Sequence, residues 1–203
     1  WDSVSAVLSA PPYPTRALED NLADLNAQAA AIRRGVGALK QLVTGYGSDC
    51  IRRQMVALKN LAADALKRRL NEIADGEFEA TEHLDDGTPI RVAVTKSTAG
   101  LSFDFTGTGG VHPGNFNATP AIVRSVLLYF LRLMIREPLP LNEGLLRDVT
   151  IRLPEGILNP PFPDDPKQAP AVVGGNVETS QRLCDTLIKA FRLSACSQGT
   201  MNN

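Results

Sequence analysis

The segment from Val172 to Gln181 reads Val-Val-Gly-Gly-Asn-Val-Glu-Thr-Ser-Gln, and it concentrates the residue types that could do chemistry. Two glycines enter a helix start carrying Asn176, Thr179 and Ser180, where the first N–H groups lack intrahelical partners. Such a start can orient a carbonyl or carboxylate, as an oxyanion-binding site does, although capping alone accounts for the same residues. Glu178 in that turn opposes a bare anion. Ser180 becomes a nucleophile only if folding supplies a histidine as its base. Asp104 lies between Phe103 and Phe105, so strand alternation turns its carboxylate away from the buried rings. It is either an exposed-face acid or a strand-end carboxylate facing a cleft, a position from which catalytic groups often act.

Other candidates are weaker. The glycine-rich loop Gly107-Thr108-Gly109-Gly110 invites a phosphate-binding reading, but no Lys-Ser or Lys-Thr follows Gly110, and a structural turn is favoured. The two histidines, His83 and His112, lack HExxH or HxH spacing, and His83 with Glu82, Asp85 and Asp86 reads as a solvated hairpin tip. Cys50, Cys184 and Cys196 form no CxxC pair; Cys184 falls on the inner face of a helix, and none has an evident activating partner. Asn21, Asp24 and Gln28 form a polar stripe at helical spacing, which becomes small at Ala31 and Gly35 and would suit a close contact there.

These residues must be positioned by helices and strands whose periods are legible. Pro11, Pro12 and Pro14 favour an extended lead-in over 1–17. Apolar residues at Leu18, Leu22, Leu25, Ala29, Ile32, Val36, Leu39 and Val43 recur at four and three, the seam of a long helix packed on another helix. Gly45-Tyr46-Gly47 breaks it, and Ile51, Met55, Leu58, Ala62, Ala65, Leu66 and Ile73 form a second stripe. The reading is an αα-hairpin over 18–75, each helix about 38 Å long at 1.5 Å per residue. From residue 76 the period is two: strands through Phe78 and Ala80, Ile90 to Val94, and Leu101 to Phe105 make a three-stranded antiparallel meander. A buried helix over 119–136, a short strand over 148–153 and a last helix over 177–193 complete an α+β portion from 76 to 203.

The 203 residues carry 21 Lys+Arg against 22 Asp+Glu, a formal net charge of −1, and only 5% are aromatic. That balance argues against nucleic acid as a partner, which calls for basic excess and stacking rings. The longest apolar stretch, 121–135, is cut by Arg124, Ser125 and Arg132, so no membrane span is expected. Trp1 in place of a starting Met and the polar run Ser197 to Asn203 lead us to expect an internal piece, truncated at its C-terminus.

Several segments together resemble the hydantoinase B and 5-oxoprolinase family. They are Asp24-Leu25-Asn26-Ala27-Gln28 with Gly35, Asp75-Gly76, Leu84-Asp85-Asp86-Gly87, Asp104-Phe105-Thr106-Gly107-Thr108 and Gly114 to Asn117. Pro140 to Gly144, Pro154-Glu155-Gly156, Asn159-Pro160, Gly174 to Gln181 and Ser197 to Asn203 continue the series in order. Two features depart from it: 162–168 reads as an insertion, and His112 stands where the family supplies no histidine and is given no catalytic role.

The resemblance implies part of an ATP-dependent hydrolase that opens a cyclic amide of the hydantoin, 5-oxoproline or lactam type. A hydantoinase A-like subunit or domain would hold ATP with magnesium and phosphorylate the substrate, and water would then attack the activated carbonyl. It further implies a cytoplasmic hetero-oligomer, and a divalent metal held upstream of these residues with none in this fragment. The expected catalytic residues are Asp104, Asn176 and Glu178. The expected substrate-binding residues are Asp24, Gln28, Asn117, Asn142, Gly175 and Gln198. Two alternatives stand beside this reading: a subunit of an ATP-dependent ketone carboxylase, or a non-catalytic subunit-docking fragment with the hairpin as its arm.

Overall fold

The structure, a computed structural model, describes residues 1–165 and 167–194. The chain divides into two compact units, 1–56 and 57–203. In the first, α1 (Asp2–Ser9) precedes α2 (Leu18–Tyr46), and α3 (Ser48–Asn71) begins after Gly47. Gly47 takes a positive φ of 81°, and its N–H closes α2 on the Val43 carbonyl. The extended lead-in is corrected over residues 2–9. The prolines begin only at Pro11, so Asp2 can sit in a first turn and Val4, Val7 and Leu8 can share a face. No residue of α2 is buried, so the described residues do not fully close the seam expected to pack on another helix.

The boundary between units falls inside α3 and not after it. Ala62, Ala63, Ala65, Leu66 and Leu70 are buried in the core of the second unit, which draws the C-terminal half of α3 into it. That core forms on one face of a four-stranded sheet of order β1 (Gly76–His83), β2 (Pro89–Ser97), β3 (Gly100–Asp104), β4 (Val149–Arg152). The first three strands are the antiparallel meander, with His83 opposite Pro89 and Val94 opposite Phe103. β4 adds to it in parallel, Phe103 lying opposite Ile151, so the sheet is mixed and the α+β class holds.

Period-two burial puts Ala80, Ile90, Val92, Val94, Leu101 and Phe103 on the inner face. α5 (Glu178–Phe191) packs on β1 and β2, and α4 (Pro120–Met134) packs on α5. Phe191 joins the layers, stacking on Phe78 at 4.7 Å and meeting Phe130 at 5.3 Å. α4 is buried along Val123, Leu127, Phe130 and Leu131, while Tyr129 and Leu133 face outward. Among the described residues no helix is long and apolar enough to cross a membrane.

Candidate functional site

The loop that leaves β3 is held by its own turn chemistry. Asp104 Oδ1 accepts the Thr106 N–H at 2.8 Å, and Arg152 Nη1 lies 3.4 Å from the other oxygen. The Thr106 hydroxyl and N–H, then Arg152 and Arg91, hold the Asp104 carboxyl below its usual range. Asp104 thus serves a turn at the strand end. Thr108 exchanges hydrogen bonds with the Arg91 backbone at 2.9 and 3.0 Å, and Gly109 N–H donates to the Pro89 carbonyl at 2.8 Å. Thr108 N–H donates to the Phe105 carbonyl, so these glycine-flanked N–H groups are spent on the chain and do not fit a nucleotide phosphate.

Next comes an Asp-His pair that resembles a catalytic dyad and is built differently. His112 Nε2 lies 2.6 Å from Asp86 Oδ2, while Nδ1 accepts the Gly114 N–H at 2.8 Å. An Nδ1 that accepts is unprotonated, so Nε2 carries the proton and donates it to Asp86. With both nitrogens engaged, His112 has no lone pair left to act as a base. The ring also meets Phe116 edge-on at 5.2 Å.

Asn117 is fully buried, and its amide closes the same loop. Its oxygen accepts the His112 N–H at 2.7 Å; its nitrogen donates to the carbonyls of His112, Gly114 and Ala171. The structure therefore makes Asn117 an organiser of the loop. That loop seats the start of α5. Gly174 N–H donates to the Asn115 carbonyl at 2.7 Å, and Thr179 Oγ1 donates to the Phe116 carbonyl at 2.5 Å. A Cβ on Gly175 would collide with the Asn117 carbonyl, so only glycine permits this approach.

A 3-10 turn over Val173–Asn176 then delivers Asn176 to a groove between α4 and α5. The groove, about 200 Å³, has Ile122, Val126 and Cys184 as apolar wall and Ser125, Tyr129, Asn176 and Ser180 as its polar lining. Ser180 Oγ donates to the carbonyls of Asn176 and Val177, at 2.9 and 3.1 Å, and has no base among the described residues. Burial, with Asp185 beside it, pushes the Cys184 thiol up to about 11, so the thiol stays protonated at neutral pH. The groove can therefore bind and orient an uncharged ring but supplies no activated nucleophile.

Of the expected site residues, Asn117, Gly175 and Asn176 come together, with Glu178 exposed in the adjoining first turn of α5. Asn142 lies elsewhere: it caps a 3-10 turn over Glu143–Leu146 through the Gly144 N–H, and Gly144 packs on the Lys59 carbonyl. Asp24 and Gln28 are exposed on α2 in the first unit. Gln198 lies outside the described residues. Sequence reasoning missed Tyr129 and Ser125, although Ser125 is one of three polar residues, with Arg124 and Arg132, that interrupt an apolar run. It also missed Asp185, a buried carboxyl on α5 that burial raises above its usual range. Among the described residues no group of three or more His, Cys, Asp or Glu could hold a metal ion.

A family model described as hydantoinase B/oxoprolinase matches residues 2–203. The chain is 40% identical over 196 residues to an uncharacterised protein of Schizosaccharomyces pombe, which covers 93% of this chain and 15% of that one. It is 37% identical over 205 residues to 5-oxoprolinase 1 of Arabidopsis thaliana, covering 93% and 16%. Among solved structures it is similar to the ATP-dependent caprolactamase from Pseudomonas jessenii, with a TM-score of 0.72 and 26% identity over 95% of this chain and 32% of that one. The chain thus spans a small part of the length of the relatives it matches.

Proposed function

Because the chain belongs to the hydantoinase B/oxoprolinase family, we propose that it is part of an ATP-dependent hydrolase that opens a small cyclic amide after activation by a hydantoinase A-like partner. The observation that carries this reading is the α4–α5 groove, with apolar walls and the Asn176 amide at its polar lining. Apolar walls suit the methylenes of a lactam or related ring, and a few placed hydrogen-bonding groups fix its orientation. Asn176 can donate to a ring carbonyl or accept from a ring N–H, and the Tyr129 and Ser125 hydroxyls can serve the opposite edge. The role of these residues is to bind and orient; activation by ATP belongs to the partner.

The similarity to 5-oxoprolinase 1 and to the ATP-dependent caprolactamase supports the substrate class. The test uses the full-length protein with its A-like partner, assayed for ATP-dependent ring opening of 5-oxoproline, hydantoin and caprolactam. Ser125→Trp, which fills the groove, is expected to raise KM, and Asn176→Ala to lower kcat/KM by about tenfold to a hundredfold, the loss of one or two hydrogen bonds. Unchanged turnover in both variants would remove the groove from the reaction. Bicarbonate-dependent consumption of a ketone with no ring hydrolysis would replace the hydrolase by a carboxylase.

A further inference from the structure

The exposed half of α2 carries an apolar seam that the described residues leave open. Ile32, Val36 and Leu39 are 67%, 48% and 40% exposed, Leu42 on the flank and Tyr46 beyond it are 47% and 68% exposed, and Val43 is half-buried. The seam is not scattered exposure. Counted from Leu18 to Val43, its apolar positions alternate spacings of four and three, the repeat that lets two helices interlock along their length. One flank of this seam carries Arg33 and Lys40, seven residues apart; the other carries Gly35 and Leu42, also seven apart.

Two further features describe what would cover it. Between Asp24 and Asp49 there is no acidic residue, while Arg33, Arg34 and Lys40 are all exposed. Among the described residues, none of the three has an ion-pair partner. Gly35 and Gly37 lie in mid-helix, where glycine weakens a helix, and a Cβ on either would meet nothing within 4 Å. Gly35 flanks the seam, where a closely approaching partner backbone gives a reason for glycine.

We infer that the Ile32–Tyr46 face of α2 docks an amphipathic helix from outside residues 1–203, with its own three-four apolar seam and with Asp or Glu along the flank that meets Arg33 and Lys40. A second copy of α2 does not satisfy this face. Antiparallel pairing would set Arg33 and Lys40 against the same cations, and parallel pairing would set them against Gln28 and Gly35, which carry no charge.

The test uses the full chain and two synthetic heptad peptides identical in their leucine seam, one with Glu and one with Lys at the flanking positions. Fluorescence anisotropy is expected to show binding of the Glu peptide only, weakening about tenfold or more as salt rises from low to molar concentration. The Arg33→Glu, Lys40→Glu double variant, which leaves the seam and fold untouched, is expected to exchange the preference for the Lys peptide. Val36→Glu is expected to abolish both, with far-UV circular dichroism checking that α2 persists. Equal binding of the two peptides, binding of neither, or a double variant that keeps the original preference overturns the inference. So does a dimer in sedimentation that Val36→Glu dissociates, since the occupant is then a second copy.

Discussion

His112 and Asp86 lie 26 residues apart in sequence and are joined by a 2.6 Å contact between Nε2 and Oδ2, tying the β1–β2 turn to the loop that seats α5. Asp86 holds both ends of this tie. Its other oxygen accepts the Thr88 N–H at 2.9 Å inside the turn.

An acid-dependent loss of stability follows from Asp86. The Thr88 N–H, then the His112 contact and the Thr88 hydroxyl, hold its carboxyl down to about 2 from an ordinary 3.8. A carboxyl depressed in the folded state contributes stability that is present above its unfolded value and is lost as pH falls through the folded one. Its contribution should therefore vanish between about pH 4 and pH 2. Urea midpoints measured across that window are expected to fall more steeply for the native chain than for Asp86→Asn. Parallel curves would mean that the turn does not hold the carboxylate.

Asn117 makes a larger claim, because its amide is buried and fully used. Asn117→Ala leaves the His112 N–H and three carbonyls without their partner, at a cost of about 2–4 kcal/mol for unsatisfied buried groups. Asn117→Asp should cost more, since it turns a carboxylate oxygen toward those carbonyls. Chemical denaturation checks both, and a loss under about 1 kcal/mol for Ala would show that water replaces the amide. Gly175→Ala is expected to fall in the same range, because its Cβ collides with the Asn117 carbonyl.

What the sequence disclosed follows from which features are local. Burial is periodic along a strand or helix, so Ile90-Val92-Val94, Leu101-Phe103-Phe105 and Leu183-Leu187-Phe191 are legible without a partner in view. The place of Asn176 at a helix start was legible because a glycine pair before a polar run marks such a start. The Asp86–His112 contact, the parallel addition of β4 to β3 and the draw of α3 into the second core depend on segments tens of residues apart. No local period encodes those meetings. The backbone partners of Asn117 and Asn142 were illegible for a related reason: an Asn that binds backbone and an Asn that binds substrate have the same letter, and only hydrogen-bond partners separate them.

Cys184 offers a check on the groove that needs no substrate. Its thiol is buried and held up to about 11, so at pH 8 it is almost wholly protonated and shielded. Iodoacetamide at that pH is expected to leave Cys184 unmodified in the native chain and to alkylate it once urea unfolds the second unit, as read by peptide mass spectrometry. Cys50, half-buried in the first unit, is expected to react earlier. Prompt native labelling of Cys184 would mean that the groove opens to its floor.

Lys96 occupies the next inward position after Ile90, Val92 and Val94, where alternation calls for an apolar residue. Its stem lies on the core face, and its ammonium reaches Asp75 at 2.5 Å, just before β1 begins. Lys96 is 92% covered while the Asp75 side chain is about half exposed, so the costs of breaking the pair are unequal. Asp75→Ala leaves a covered ammonium unpaired and is expected to cost about 1–3 kcal/mol, less than a fully buried pair because water still reaches the site. Lys96→Met keeps the stem and removes the charge, and is expected to change stability by less than about 1 kcal/mol in either direction. In the Lys96→Met background, Asp75→Ala should then cost almost nothing. A double-mutant cycle by urea denaturation reads this directly, and equal losses from Asp75→Ala in both backgrounds would show that Asp75 stabilises the start of β1 by some means other than the lysine.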